Sequence, residues 1–163
     1  MKILKRILLA LAVLFLLIQF IRPTRNALPG LSPDDIGAKF TTSQEVRDIL
    51  RTSCYDCHSN TTQYPWYAEL QPVGWWLASH IEEARRELNF SEFSGYRLRR
   101  QFIKLQQIAD EVNEGAMPLP SYLLLHADAK LSPEQKQVLT SWISATRDSM
   151  KAVYPADSLV RNQ

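Results

Sequence analysis

Cysteine is nearly absent from this chain, with two residues in 163, and histidine is almost as scarce, with three. No second C-x-x-C and no H-x-x-x-H accompanies the one cysteine pair, so the four-ligand set of a structural zinc site is incomplete. No segment alternates apolar and polar residues as a strand would, and no βαβ pattern surrounds the pair, which argues against a thioredoxin-like dithiol. No internal repeat appears. Basic excess is missing too: from Arg22 onward there are 16 basic residues against 17 acidic ones, so no nucleic-acid footprint is expected.

What the chain does have is Cys54-Tyr55-Asp56-Cys57-His58. This C-x-x-C-H spacing is the attachment signature of c-type haem. Two thiols three residues apart on one helical turn can add to the two vinyl groups of one porphyrin. His58, the next residue, then lies beneath the iron and can supply a proximal imidazole nitrogen. Cys54, Cys57 and His58 are therefore the expected cofactor-binding residues, with His58 on the metal and haem c as the cofactor.

The N-terminus carries Lys2, Lys5 and Arg6 ahead of a run over 7–21 that is apolar except for Gln19. This is the layout of an export signal. No small-x-small cleavage site follows, since the next residues are large or charged (Gln19-Phe20-Ile21-Arg22-Pro23). An uncleaved signal anchor over 1–22 is expected, with the rest of the chain outside the cytoplasm by the positive-inside rule. Export agrees with haem attachment, and the periplasmic side of a bacterial inner membrane is the expected location. Residues 23–40 hold Pro23, Pro29, Gly30, Pro33 and Gly37 with little periodicity, which predicts a linker. A haem-binding domain is expected over 41–150 and an unpatterned tail over 151–163.

Within the domain the fold class is all-α. Thr42 and Glu45 have capping-box spacing and predict a helix start that leads into Cys54. Val46, Ile49 and Leu50 form its apolar stripe. Further helices are predicted over 73–88, with Val73, Leu77, Ile81, Ala84 and Leu88 at helical spacing, and over 95–113, with Leu98, Phe102, Leu105, Ile108 and Val112 on one side. The last begins at Ser132-Pro133 and carries Leu139, Trp142 and Ile143. A bundle of three to five helices around one haem follows. The loop over 59–72 supplies Tyr64, Trp66 and Tyr67, rings suited either to a porphyrin or to ordinary core filling. Arg97, Arg99, Arg100 and Lys104 make one basic patch, either a solvated helix face or a docking site for an acidic redox partner.

The second axial position decides the chemistry. Met117, in a loop and followed by Pro118, is the favoured residue, and a thioether ligand raises the reduction potential relative to two imidazoles. His80, on the apolar side of its helix, and His126 are the alternatives, and an open position is a fourth. Asn60-Thr61-Thr62 and Asn89-Phe90-Ser91 match glycosylation sequons, but turn or capping chemistry is the expected role, with Ser91 as a helix cap.

A helix entering C-x-x-C-H, a later Met117-Pro118 and a terminal helix with Leu139 and Trp142 resemble a class I cytochrome c. The segments Cys54 to Asn60 (C-x-x-C-H-S-N), Tyr64 to Tyr67 (Y-P-W-Y), Asn89 to Ser91 (N-F-S) and Gly115 to Tyr122 (G-x-M-P-x-x-Y) resemble more closely the bacterial haem-binding domain family. That resemblance implies covalent haem c in the cell envelope, and it includes the histidine at position 80 among the motif features. The expected function is a membrane-tethered electron carrier serving redox partner proteins at the same surface. A haem enzyme or gas sensor with an open or histidine-ligated iron is the rival, and a module of a larger redox complex is a third reading.

Overall fold

In the computed structural model, which describes residues 1–160, the apolar run forms helix α1 (Lys2–Ile18), and none of its residues is buried. Its 17 residues span about 25 Å at roughly 1.5 Å per residue. Among the described residues no helix is long and apolar enough to cross a membrane. The expected anchor helix therefore stops short of a full span. At its end Gln19 Nε2 donates to Phe15 O (2.9 Å) and to Gln71 O (3.1 Å).

Residues 23–40, expected as a linker, are bound to the domain along their length. Asn26 Nδ2 donates to Ser59 O (2.8 Å) and to Thr62 Oγ1 (2.9 Å), and Ala27 pairs with Thr61 in an isolated antiparallel bridge. Asp35 caps the short helix α2 (Ile36–Lys39) by accepting from Gly37 N, and Ile36 is fully buried in the core. Proline and glycine here shape a bound strap, and composition alone did not separate that from a free linker.

Helix α3 (Gln44–Ser53) is capped by Ser43, whose hydroxyl accepts from Val46 N, rather than by the expected Thr42, whose hydroxyl donates instead to Phe40 O. Val46, Ile49 and Leu50 point inward as the stripe predicts. The turn α4 (Tyr55–His58) follows at once. Helix α5 (Val73–Glu87) buries Gly74, Leu77 and Ile81. Helix α6 (Leu98–Glu114) buries Phe102, Leu105, Ile108 and Val112 and ends at Gly115, whose φ of 74° is the left-handed C-cap that glycine accepts most readily. The turn α7 (Pro120–Leu123) leads to α8 (Pro133–Val153), which opens on a capping box between Ser132 and Gln135. The expected tail instead forms α9 (Ala156–Leu159), and Leu159 is buried among the core residues of α6 and α8.

The described residues are helical throughout, with no strand beyond the single bridge. One large core joins α3, α6 and α8 to Ile36, Phe90, Phe93 and Leu159. A smaller one joins Ala68, Leu77 and Ile81 to Tyr64 and Tyr67. Tyr55 ties the strap to the attachment turn, since its hydroxyl donates to both carboxylate oxygens of buried Asp35 at 2.9 and 3.0 Å.

Desolvation raises the Asp35 pKa, while the Gly37 amide and the Tyr55 hydroxyl pull it down. Its stabilising contribution is therefore full below the unfolded carboxyl pKa and is lost as pH rises through the folded value. Tyr55→Phe removes one of the two opposing donors and enlarges that loss. The variant is expected to lose about 1–3 kcal/mol at neutral pH and distinctly less at acid pH. Urea titrations at the two pH values check this, and an equal loss at both would contradict it.

Candidate functional site

His58 is held by the end of α5. Its Nδ1 lies 3.1 Å from Ala84 O and 3.1 Å from Leu88 O. Carbonyl oxygens only accept, so Nδ1 carries the proton and Nε2 is the bare nitrogen. Leu88 O lies past the helix end, and Ala84 O, which also accepts from Leu88 N at 2.9 Å, receives the imidazole on its second lone pair. Burial lowers the His58 pKa, against the two carbonyls that raise it, and nearby Lys104 lowers it further. The ring is thus neutral and fixed, with one nitrogen available to a metal.

Cys54 and Cys57 are free thiols on the same turn. Burial pushes Cys54 up to about 12 and Cys57 up to about 11, with neighbouring Cys57 and Asp56 adding to the respective rises. A redox-active dithiol needs a thiolate in an electropositive setting, and these surroundings do the opposite. Among the described residues no group of three or more His, Cys, Asp or Glu is placed to hold a metal ion.

Two clefts meet at the attachment turn. The larger, about 250 Å³, is lined by Cys54, His58, Leu88, Phe90, Ile108, Val112 and Met117, with Glu87, Lys104, Gln107 and Glu111 at its polar side. The smaller, about 80 Å³, is lined by Ser53, Cys54, Asp56, Cys57, His58, His80, Ala84, Met117, Pro118, Leu119 and Tyr122. Cys54, His58 and Met117 line both. Apolar walls beside Cys54, Cys57 and His58 fit a flat, largely apolar ring, so the residues present fit a haem.

The three candidates for the second axial position separate in space. Met117 borders both clefts. His80 borders the smaller one, with Nδ1 2.9 Å from Trp76 O and its ring 4.2 Å from the Trp76 ring. His126 borders neither. Its Nε2 is 2.8 Å from the Tyr67 hydroxyl and its ring stacks on Tyr122 at 4.1 Å. Tyr122 in turn donates to Asp56 Oδ2 at 2.8 Å, tying the loop after Met117 back to the attachment turn.

The motif segments, distant in sequence, converge. Asn60 N–H donates to Ser91 Oγ (3.0 Å), and Asn60 Oδ1 accepts from Arg85 (2.6 Å) and from Asn89 Nδ2 (2.9 Å). Asn89 caps the 3₁₀ turn Phe90–Gly95 by accepting from Ser91 N, so the cap is Asn89 and not the expected Ser91. Both sequon asparagines are therefore engaged within the fold. Tyr64, Trp66 and Tyr67 line neither cleft, and the rings that do are Phe90 and Tyr122. The basic patch is largely taken up internally. Arg99 donates to Asp157 O, Arg100 lies 4.0 Å over the Tyr96 ring, and Lys104 pairs with Glu87 at 3.4 Å beside the larger cleft.

Sequence reasoning missed the Ala84 and Leu88 carbonyls, because a backbone acceptor has no letter in the sequence. It also missed Phe90, although the N-F-S segment that contains it was singled out. In comparisons with known proteins, the profile of the haem-binding domain family matches residues 13–145. No curated protein and no solved structure matches the chain.

Asn60→Ala would strand the guanidinium of Arg85 and the amide of buried Asn89. The expected cost is about 1–3 kcal/mol, read as a lower urea midpoint at unchanged slope. A midpoint equal to the parent's would show that this junction does not hold the attachment turn.

Proposed function

Since the chain belongs to the haem-binding domain family, we propose that it is a membrane-tethered electron carrier with one covalently attached haem c. When bound, that group supplies reversible one-electron exchange. The reading rests on one observation above the others: Nδ1 of His58 is occupied by Ala84 O and Leu88 O, which leaves Nε2 free to bind a metal, while Met117 shares both clefts with His58.

In this reading Cys54 and Cys57 form thioethers to the porphyrin, His58 is the proximal ligand and Met117 the distal one. Leu88, Phe90, Ile108 and Val112 exclude water from the ring, which favours electron exchange over bond chemistry at the iron. Lys104, close enough to depress the His58 pKa, offsets carboxylate charge at the polar side of the larger cleft. An enzyme or sensor would need a free distal face with an acid–base group beside it. His80, at the smaller cleft, is the residue that supports that rival.

The tether is α1. Its apolar side chains are exposed around the whole circumference, and Lys2, Lys5 and Arg6 mark the cytoplasmic end. The domain then lies on the periplasmic side, where redox partners share the membrane surface.

The far-red absorption of the oxidised protein tests the ligand assignment. The parent is expected to show a weak methionine-to-iron band that Met117→Ala loses, together with a lowered reduction potential. A low-spin spectrum lacking the band in both proteins would transfer the assignment to His80. A high-spin parent spectrum would overturn the carrier in favour of the enzyme or sensor.

A further inference from the structure

The exit of α1 is fastened to one edge of the domain, and that edge is apolar and exposed. Gln19 and Gln71 exchange two hydrogen bonds, with Gln71 N–H donating to Gln19 Oε1 at 2.9 Å and Gln19 Nε2 donating to Gln71 O at 3.1 Å. Trp75 Nε1 donates to Ile21 O at 2.8 Å. Arg22 and Arg25 both bind the Glu69 carboxylate, which holds Glu69 below the usual carboxylate range. The end of the helix is thus joined to residues 69–75 at several points.

Around this junction stand Phe20, 83% exposed, Ile21, Trp66, 76% exposed, Leu70, Val73 and Trp76. Their placement follows from local geometry. Trp66 and Glu69 sit three apart in the 3₁₀ turn Trp66–Glu69 and so share one side of it. Val73, at the first position of α5, and Trp76, one turn on, are both exposed, although Val73 lies on the stripe of buried Leu77. A water-facing surface has no use for two exposed tryptophans and four aliphatic or phenyl side chains in one collar.

The geometry points to a lipid bilayer as the occupant: the collar seats the domain in the interfacial layer around the emerging helix. This rests on α1 entering the membrane, as proposed above, and it adds a contact that the tether alone does not need. Three features favour lipid. The collar is continuous with a helix none of whose residues is buried among the described residues. Tryptophan is the residue enriched at the headgroup level. And α1, at about 25 Å by its rise per residue, leaves a shortfall of roughly 5 Å against a hydrocarbon layer of about 30 Å. Sinking Phe20, Ile21 and the tryptophans into the interface meets that mismatch. The domain is then held at a fixed attitude. The clefts take up a set position above the membrane, since His80, at the smaller cleft, lies about 10 Å further along α5 than Val73.

Photo-crosslinking of the full haem-loaded chain tests the seating. The chain is placed in vesicles of phosphatidylethanolamine and phosphatidylglycerol with p-benzoylphenylalanine replacing Trp66, Trp76 or, as a control, exposed Gln137 on α8. Flotation with the vesicles reports the tether, and lipid adducts found by mass spectrometry report the collar. Adducts at 66 and 76, with none at 137, are expected. Flotation without adducts at either position would overturn the seating and leave the tether standing. Failure to float would overturn both. The two positions are independent, so a variant that misfolds does not remove the test.

Discussion

Everything at the site depends on the pair of contacts from His58 Nδ1 to the carbonyls of Ala84 and Leu88. They set the tautomer and hold the ring of a histidine that borders both clefts. They also join the attachment turn to the end of α5, beside the bond from Arg85 to Asn60. The attachment turn hangs from α3, which belongs to the larger core, whereas α5 belongs to the smaller one. A helix end supplies acceptors without any special side chain, so the arrangement is insensitive to which residues occupy positions 84 and 88, provided the helix ends there. It ends at Glu87, and Leu88 has the extended backbone that turns its carbonyl outward from the helix.

A second layer of polar contacts keeps that arrangement in register. Asp35 holds Tyr55, Tyr122 holds Asp56, and Asn60 gathers Arg85, Asn89 and Ser91. Each of these fixes a neighbour of Cys54, Cys57 or His58 and none is itself at the clefts except Tyr122 and Asp56. Attachment of a porphyrin to two thiols needs the turn to be presented in one geometry. The polar layer and the apolar stripe of α3 supply that from opposite sides.

Much of this was legible in the sequence. The apolar stripes of α3, α5, α6 and α8 follow a 3.6-residue period, and Leu50, Leu77, Phe102, Leu139 and Ile143 are buried as the period requires. C-x-x-C-H marked the turn, and Met117 falls at both clefts. What was not legible depended on long-range partners. Ile36, in a stretch whose prolines and glycines read as a linker, is buried because Asp35 meets Tyr55, a contact spanning twenty positions. Leu159 is buried because α9 folds back on α6, and four residues are too few to show a period. Ser43 displaced Thr42 as the α3 cap because cap choice turns on one residue's φ and ψ, which spacing alone does not fix.

The aromatic residues show the same division between what pattern reveals and what packing decides. Tyr64, Trp66 and Tyr67 stand together in sequence and were equally suited to a porphyrin or a core. Two of them entered a core, since Tyr64 and Tyr67 pack on Ala68, Leu77 and Ile81. Trp66 entered neither, and its ring meets the edge of Tyr67 while most of its surface stays exposed. A tryptophan costs a domain apolar burial when it is left outside. Its position beside the end of α1, on the same turn as the Glu69 that binds Arg22 and Arg25, gives that exposure a physical reason: in lipid the ring recovers the transfer free energy that the protein core does not provide. The smaller core then has two surfaces with distinct tasks. Its inner side carries α5 to His58, and its outer side carries the exposed Trp66, which would meet lipid in the proposed seating.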